Sequence, residues 1–225
     1  MSELSHDQPL EQEFPLVQLN ALECVRSDRV LFTDLSTNVL SGEIMQIEGP
    51  NGAGKTSLIR ILCGFLTPAA GEVSFKGKSI HEDVIFYQSH LLYIGHSHGV
   101  KAELTVMENL TFYAGISSTK SDANLSEAIK GVGLYGYEDA LCSDLSAGQR
   151  RRVALARLLI TDASLWILDE PFVALDKKGV VWLESLLIAH AKQGGAVIFT
   201  SHQDFISHAS IKRLNINEFA CIPDF

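Results

Sequence analysis

Short apolar runs alternate with stretches of helical spacing along this chain, and that alternation is typical of an α/β fold. The runs 165–168 and 196–199 are apolar throughout, as strands are in a parallel sheet that is buried on both faces. Six further strands are predicted, at 17–24, 30–40, 43–48, 72–76, 91–94 and 211–216. The core is therefore predicted to be an α/β layer built on a parallel sheet.

Helical periodicity marks the segments between these strands. A helix over 56–66 is predicted to carry four apolar residues on one face, namely Leu58, Ile61, Leu62 and Phe65. Strand patterns disappear from about residue 97 to residue 145, and helical spacing returns at 106–113 and 125–132. We interpret this stretch as an inserted helical subdomain. A further helix is predicted over 150–160.

A glycine-rich segment lies between the predicted strand 43–48 and the predicted helix 56–66, and it fits the phosphate-binding pattern G-x-x-x-x-G-K-[ST]. Its residues are Gly49, Pro50, Asn51, Gly52, Ala53, Gly54, Lys55, Thr56 and Ser57. Main-chain amides of such a loop point at phosphate oxygens, and the helix N-terminus adds a partial positive charge. Lys55 would reach the β and γ phosphates, and the Thr56 hydroxyl would ligate Mg²⁺. The alternative is a glycine-rich turn before an ordinary helix.

Composition limits the class of protein. A chain of 225 residues can bury a full core, and we expect one domain over 16–225 behind a flexible tail at 1–15. The formal net charge of −9 argues against a large nucleic-acid surface. Four cysteines, at positions 24, 63, 142 and 221, form no C-x-x-C pair, so we expect them to be reduced and structural.

The N-terminal region carries no targeting signal that we recognise. It is polar and acidic, without the basic start and apolar run of a signal peptide, so we expect a cytosolic chain. No apolar stretch approaches the roughly 20 residues of a membrane-spanning helix. If the protein works at a membrane, other chains would span it.

Two carboxylates, Asp169 and Glu170, directly follow the apolar run 165–168. They should therefore lie at the carboxyl end of a sheet strand, beside the phosphate loop. Asp169 would hold Mg²⁺ through a water molecule, and Glu170 would orient or deprotonate the water that attacks the γ-phosphate. The alternative is a strand that simply reaches the surface at Asp-Glu-Pro.

The pentapeptide Leu145-Ser146-Ala147-Gly148-Gln149 precedes the predicted helix 150–160, and on its own it indicates only an N-cap at Ser146. Together with the phosphate loop, Asp169-Glu170-Pro171, Ala174-Leu175-Asp176 and Ser201-His202, it resembles the ATP-binding cassette family over nearly all of the chain. That resemblance implies a P-loop NTPase fold with an antiparallel β segment, a parallel core sheet and an inserted helical subdomain.

The resemblance also implies an ATP-sandwich dimer. Ser146, Gly148 and Gln149 would then contact ATP that the partner protomer holds, and Ala147 would replace the family's glycine without loss of the amide. Asp176 would communicate between the two sites. His202 would bind the γ-phosphate and hold the attacking water with Glu170, although a lone histidine after a strand is more often a surface residue.

The chain departs from the family pattern at two positions. His96 stands where a glutamine is usual, so it would contact a metal-bound water, with a charge that changes near neutral pH. A separate metal site of His90, His96 and His98 is not favoured, because the spacing provides no tetrahedral set. Arg26 replaces the usual aromatic residue, so we expect it to stack on adenine, the alternative being a solvated cation.

A basic cluster, Arg150-Arg151-Arg152 with Arg157, could suggest phosphate or nucleic-acid binding. Because the protein is acidic, we favour a helix face with ion pairs at the dimer interface.

One subfamily is similar in finer detail, through the segments 48–57 and 95–110 and the alanine-bearing pentapeptide. It comprises the haem-exporter ATP-binding subunits of bacterial cytochrome c maturation. The resemblance implies a peripheral subunit on the cytoplasmic face of the inner membrane, with ATP and Mg²⁺ as cofactors. It also implies docking near 95–110 on membrane-spanning subunits, and hydrolysis linked to release of a haem-loaded chaperone.

Two alternatives remain open. A cassette for another small molecule or lipid would keep the same chemistry. A soluble cassette that acts on ribosomes or DNA would need a basic surface, and such proteins usually carry two cassettes or a long coiled-coil insert.

Overall fold

The computed structural model describes residues 14–97, 99–201, 205 and 210–220. The described chain contains two sheets. Strands β1 (Val17–Arg26), β2 (Arg29–Val39), β4 (Ala70–Phe75) and β5 (Lys78–Ser79) form an antiparallel sheet in the order β2-β1-β4-β5. Strands β3 (Ile44–Glu48), β6 (Leu91–Ile94), β7 (Leu165–Leu168), β8 (Ala196–Thr200) and β9 (Lys212–Asn215) form a parallel sheet in the order β6-β7-β8-β3-β9.

Within the described ranges, six α-helices accompany the sheets: α1 (Lys55–Leu62), α2 (Val84–Ser89), α3 (Val106–Ile116), α4 (Leu125–Gly131), α5 (Ala147–Ile160) and α6 (Lys177–Lys192). Short 3₁₀ turns lie at Cys142–Asp144 and Ile216–Phe219. Each of the eight predicted strands is present, with ends within two residues of the prediction. The sequence analysis did not predict β5, α2 or α6.

The parallel strands are buried because they are apolar on both faces. All four residues of β7 and all five of β8 are buried. One face of this sheet packs with α1 and the antiparallel sheet, and the other packs with α5 and α6. The carboxyl ends of β3, β6, β7 and β8 therefore meet at one edge, where ligands bind in open α/β sheets.

Helices α3 and α4 pack on α5 around a separate apolar cluster. It includes Val106, Leu110, Ile129, Val132, Val153, Ala156 and Ile160. Side chains define the starts of these helices, with capping boxes at Thr105 with Glu108 and at Ser146 with Gln149, and with Asn124 as the cap of α4. The predicted helical insert at 97–145 thus shares its core with α5.

Two expectations about the first helix need correction. Helix α1 ends at Leu62, four residues before the predicted end. Phe65 lies beyond the helix and is 54% exposed, with its ring edge-on to Tyr93. Gly64, which has φ +74°, follows the C-cap residue Cys63 and ends the helix, so that Phe65 leaves the apolar face. Cys63 is fully buried, as the sequence predicts.

The predicted flexible tail at 1–15 lies outside the described residues except for Phe14 and Pro15. His98, His202 and Cys221 also lie outside them. The three described cysteines, Cys24, Cys63 and Cys142, are buried free thiols. Within the described residues, no helix is both long and apolar enough to cross a membrane.

Candidate nucleotide-binding site

A cavity of about 720 Å³ lies at the carboxyl edge of the parallel sheet. Five parts of the chain contribute to its lining: the end of β1, the start of β2, the glycine-rich loop with the start of α1, the loop after β6, and the turn after β7. The lining residues are Arg26, Leu31, Pro50, Asn51, Gly52, Gly54, Lys55, Thr56, Ser57, His96, Asp169, Glu170 and Val173. The fold thus brings together predicted site residues that are up to 144 positions apart in sequence, from Arg26 to Glu170.

The glycine-rich loop joins β3 to α1, as the sequence predicts. Gly54 is the N-cap of α1 with φ +106°, and a Cβ atom there would lie 3.2 Å from the Phe32 ring. Gly49 has φ +147°, and a Cβ atom there would lie 2.6 Å from Ile216. Both positions therefore require glycine, for backbone conformation and for space.

The ammonium group of Lys55 is directed back along this loop. Its Nζ atom donates to the carbonyl oxygens of Gly49 at 2.6 Å and Pro50 at 3.1 Å. The side chain is buried against the loop, with 9% of the residue exposed. A cation held between the loop and the cavity is placed where phosphate oxygens would replace the two carbonyls.

The two acidic residues follow β7 and differ in their surroundings. Asp169 is 5% exposed, and its Oδ1 atom accepts a hydrogen bond of 2.7 Å from the Thr200 hydroxyl. Glu170 has a left-handed backbone with φ +49°, and its amide donates to Thr200 Oγ1 at 2.9 Å. Thr200, at the end of β8, is a site residue that the sequence analysis missed.

Arg151 is a second residue that the sequence analysis misplaced. It was expected on a helix face with ion pairs at the dimer interface, but its side chain is fully buried under the turn after β7. The guanidinium donates to the carbonyl oxygens of Glu170, Pro171, Asp169 and Gly95. Burial lowers the pKa of Arg151 to about 10, and the nearby charges of Asp169 and Glu170 oppose this effect by raising it. Arg151 is therefore protonated at neutral pH.

Helical spacing could have revealed this burial. Arg151 lies three, four and seven residues before Ala154, Leu155 and Leu158, all of which are buried. The residue therefore shares the apolar face of α5.

The other arginines of the cluster also make contacts within the chain. Arg150 donates to the carbonyl oxygen of Leu145, and Arg152 forms a 2.7 Å ion pair with Asp176. Arg157 donates to the carbonyl oxygen of Tyr93 and lies over the ring of Tyr113. Burial lowers the pKa of Arg157, and this effect exceeds the opposing one of Tyr113.

The Ser146–Gln149 segment lies at the start of α5 and is not part of the cavity lining. The Ser146 hydroxyl accepts from the Gln149 amide, and Gln149 Oε1 accepts from the Ser146 amide. A Cβ atom on Gly148 would lie 2.9 Å from the Ala174 carbonyl oxygen, so this helix start packs closely on the segment before α6. Asp176 caps α6 by accepting from the Gly179 amide.

The oxygen atoms that line the cavity fit a magnesium ion. The Thr56 hydroxyl and the Asp169 carboxylate are hard oxygen donors of the kind that Mg²⁺ prefers, and such sites commonly keep several waters. His96 is exposed at the edge of the cavity. His90 lies against Phe86 and hydrogen-bonds its carbonyl oxygen. Within the described ranges, no group of three or more His, Cys, Asp or Glu residues is arranged so that it could hold a metal ion.

Comparison with known proteins agrees with this geometry. Residues 32–173 match the ABC transporter family model. The cytochrome c biogenesis ATP-binding export protein CcmA of Shewanella frigidimarina is 50% identical over 204 residues, which cover 90% of this chain and 94% of that protein.

Two solved structures share the fold. A putative ABC transporter ATP-binding protein from Pyrococcus furiosus superimposes with a TM-score of 0.78, at 23% identity, over 91% of this chain and 99% of its own. A dimeric ATP-binding cassette bound to ADP and phosphate superimposes with a TM-score of 0.73, at 22% identity, over 83% of this chain and 88% of its own.

The fold and the cavity therefore define a nucleotide-binding ATPase cassette. The chain belongs to the ABC transporter family and, within it, to the group of cytochrome c biogenesis ATP-binding export proteins.

Proposed function

We propose that this chain is the ATP-hydrolysing subunit of a membrane complex for cytochrome c maturation. In that complex it couples ATP hydrolysis to haem handling and to release of a haem-loaded chaperone. The observation that carries the proposal is the meeting of Lys55, Asp169 and Glu170 in one cavity, within a chain that is 50% identical to a cytochrome c biogenesis ATP-binding export protein.

The residues of the cavity have distinct roles in this proposal. Lys55 exchanges the carbonyls of Gly49 and Pro50 for β- and γ-phosphate oxygens, and the loop amides bind the remaining oxygens. Thr56 and Asp169 hold Mg²⁺, which neutralises phosphate charge when bound. Glu170 orients the attacking water and accepts its proton, as the bond from the γ-phosphorus to ADP breaks.

Three further residues complete the site. His202 assists Glu170 in holding the attacking water. His96 contacts a water of the metal ion, and Arg26 stacks on the adenine. The positions of His96 and Arg26 in the cavity lining support these last two roles.

A dimer completes the reaction centre. Ser146, Gly148 and Gln149 lie outside the cavity lining of their own chain, so they are available to ATP on a second copy. The start of α5 carries a partial positive charge that suits a γ-phosphate. Asp176 lies beside this helix start through its ion pair with Arg152, and it links the two sites.

The chain acts at the cytoplasmic face of the inner membrane, bound to membrane-spanning subunits, and its link to the haem chaperone is indirect. The docking surface lies near 95–110. Asn109 fixes that segment, since its side chain accepts from the Lys101 amide and donates to the carbonyl oxygens of Lys101, Leu104 and Thr105. Nucleic acid is not a partner.

A tagged pull-down from detergent-solubilised membranes tests the proposal. The native chain and Glu170→Gln are compared for the chains and the haem absorbance that they recover. Haem-handling membrane subunits with both chains, and accumulation of the haem-loaded chaperone on Glu170→Gln, are the expected results. Recovery of unrelated membrane subunits without haem would contradict the proposed role in cytochrome c maturation.

A further inference from the structure

The main chain at Glu170 adopts a conformation that its side chain does not favour. Its φ angle of +49° lies in the left-handed region, which residues other than glycine rarely adopt because the Cβ atom crowds the main chain. The turn must therefore be held by its neighbours, and the structure contains contacts on both sides of this residue.

Thr200 holds the amide side. Its hydroxyl accepts the Glu170 N–H at 2.9 Å and donates to Asp169 Oδ1 at 2.7 Å. Thr200 is fully buried at the end of β8, so its hydroxyl sits on a rigid strand. One hydroxyl thus sets the Glu170 amide and the orientation of the neighbouring carboxylate together.

Arg151 holds the carbonyl side. Its Nη2 atom donates to the Glu170 carbonyl oxygen at 2.8 Å and to the Asp169 carbonyl oxygen at 3.3 Å. Its Nε atom donates to the Pro171 carbonyl oxygen at 3.1 Å. The same guanidinium reaches the Gly95 carbonyl oxygen through Nη1 at 3.4 Å, one residue before His96. The contacts join the turn after β7 to the loop after β6.

We propose that Arg151 and Thr200 are positioning residues for hydrolysis: they hold the Glu170 main chain from both sides, and Arg151 fixes Glu170 relative to the loop that carries His96. This inference rests on the proposed function, because it assigns Glu170 to the attacking water. Neither residue lines the cavity, so each acts through Glu170 and not on the nucleotide.

From the chemistry of the two side chains, we expect that a residue of similar size cannot replace either of them. A guanidinium has five N–H donors in a rigid plane and can bind several carbonyls at once, whereas a lysine ammonium is a compact point charge on a flexible stem. A valine has the shape of threonine without the hydroxyl. A displacement of about 1 Å at a reacting group lowers a rate about 100-fold.

The test measures kcat and KM for ATP on the membrane complex recovered with the tagged full chain. The variants are Arg151→Lys, Thr200→Val and the conservative Thr200→Ser. Two matched controls make the same kinds of substitution, arginine to lysine and threonine to valine, away from the turn after β7. Arg157→Lys alters another arginine of α5, which is partly buried and donates to the Tyr93 carbonyl oxygen. Thr161→Val removes a buried hydroxyl that bonds the Ser118 carbonyl oxygen and the Ala163 amide.

The expected result is a kcat that falls about 10- to 100-fold in Arg151→Lys and Thr200→Val, with KM for ATP within about threefold of native. In Thr200→Ser, kcat stays within about threefold of native. Both controls keep kcat within about twofold of native, while their unfolding midpoints fall. Because the two positions are tested separately, a failure of one variant to fold leaves the other as the test.

Two results would overturn the proposal: a kcat within twofold of native in Thr200→Val or Arg151→Lys, or a loss that appears in KM alone. A native complex that hydrolyses no ATP would instead overturn the proposed function, and the positioning roles with it. The two failures are therefore distinguishable by the native complex itself.

Discussion

The ammonium group of Lys55 donates a hydrogen bond to the Gly49 carbonyl oxygen at 2.6 Å, across the loop that it would share with a nucleotide. Replacement by methionine, Lys55→Met, keeps an unbranched side chain up to the Cε atom and removes the charged amine. We expect ATP affinity to fall about 10- to 100-fold, because a charge-assisted contact to phosphate is lost. Titration with a fluorescent ATP analogue measures this, with the exposed Lys78→Met as the control. Equal affinities in the two variants would exclude a phosphate contact for Lys55.

Arg26 lines the cavity, while Arg29 pairs with it across the β1–β2 turn and does not. The turn residues Ser27 and Asp28 have φ of +48° and +62°, as a tight two-residue hairpin requires. We expect Arg26→Ala to weaken ATP binding about 3- to 10-fold through loss of stacking on adenine. Arg29→Ala is the matched control. If both variants bind ATP like the native chain, Arg26 does not stack on the base.

His96 lies at the edge of the same cavity as Asp169 and Glu170, where the family usually has glutamine. An imidazole can exchange a hydrogen bond with a metal-bound water, as the amide of glutamine can. We expect kcat for ATP hydrolysis to fall about 10-fold in His96→Ala and to stay within about threefold of native in His96→Gln. His90→Gln, at a ring that lies against Phe86, is the control and keeps the native kcat. A native kcat in His96→Ala would contradict a role for the imidazole.

His190 provides a prediction about stability, away from the cavity. Its ring stacks on Trp166 with centroids 3.7 Å apart, and Nε2 donates to the Ser164 carbonyl oxygen. Burial lowers the pKa of His190 from 6.5 to about 4, although the hydrogen bond to Ser164 raises it. The neutral ring is favoured in the folded state, so the unfolded chain binds more protons between these two values.

The contribution of the neutral His190 ring to the free energy of unfolding is therefore fully present above pH 6.5 and is lost as the pH falls towards 4. The loss is up to about 2 kcal/mol, with allowance for the partly exposed ring. His190→Phe keeps the stacking and should flatten this part of the pH dependence, whereas the exposed His81→Phe should not. Urea unfolding at pH 7, 6, 5 and 4.5 measures it. A native chain with equal stability across this range would show that His190 titrates normally.

The sequence predicted the sheet well and the buried polar contacts poorly. Apolar runs such as those of β7 and β8 are local signals, and a strand that is buried on both faces must show them. The phosphate loop is likewise a local signal, because its glycines, Lys55 and Thr56 follow a fixed spacing between a strand and a helix. These parts depend on residues that are close together in sequence.

Arg151 and Thr200 could not be assigned in the same way. Their partners at Gly95 and Asp169 lie 56 and 31 residues away, so the hydrogen bonds exist only after β6, β7 and β8 are side by side. Helix α6 is a different case. Its buried Val180, Leu183, Leu187 and Ala191 have helical spacing after the cap at Asp176, so the pattern was present in the sequence.

The rate of ATP hydrolysis by Glu170→Gln tests the central claim most directly. Phosphate release and ATP affinity are measured on complexes that contain the native chain, Glu170→Gln or the exposed control Glu82→Gln. We predict hydrolysis at least about 100-fold slower in Glu170→Gln with ATP affinity within about threefold of native, because glutamine cannot accept the proton of the attacking water. The control should match the native complex. Hydrolysis by Glu170→Gln at the native rate would contradict the account.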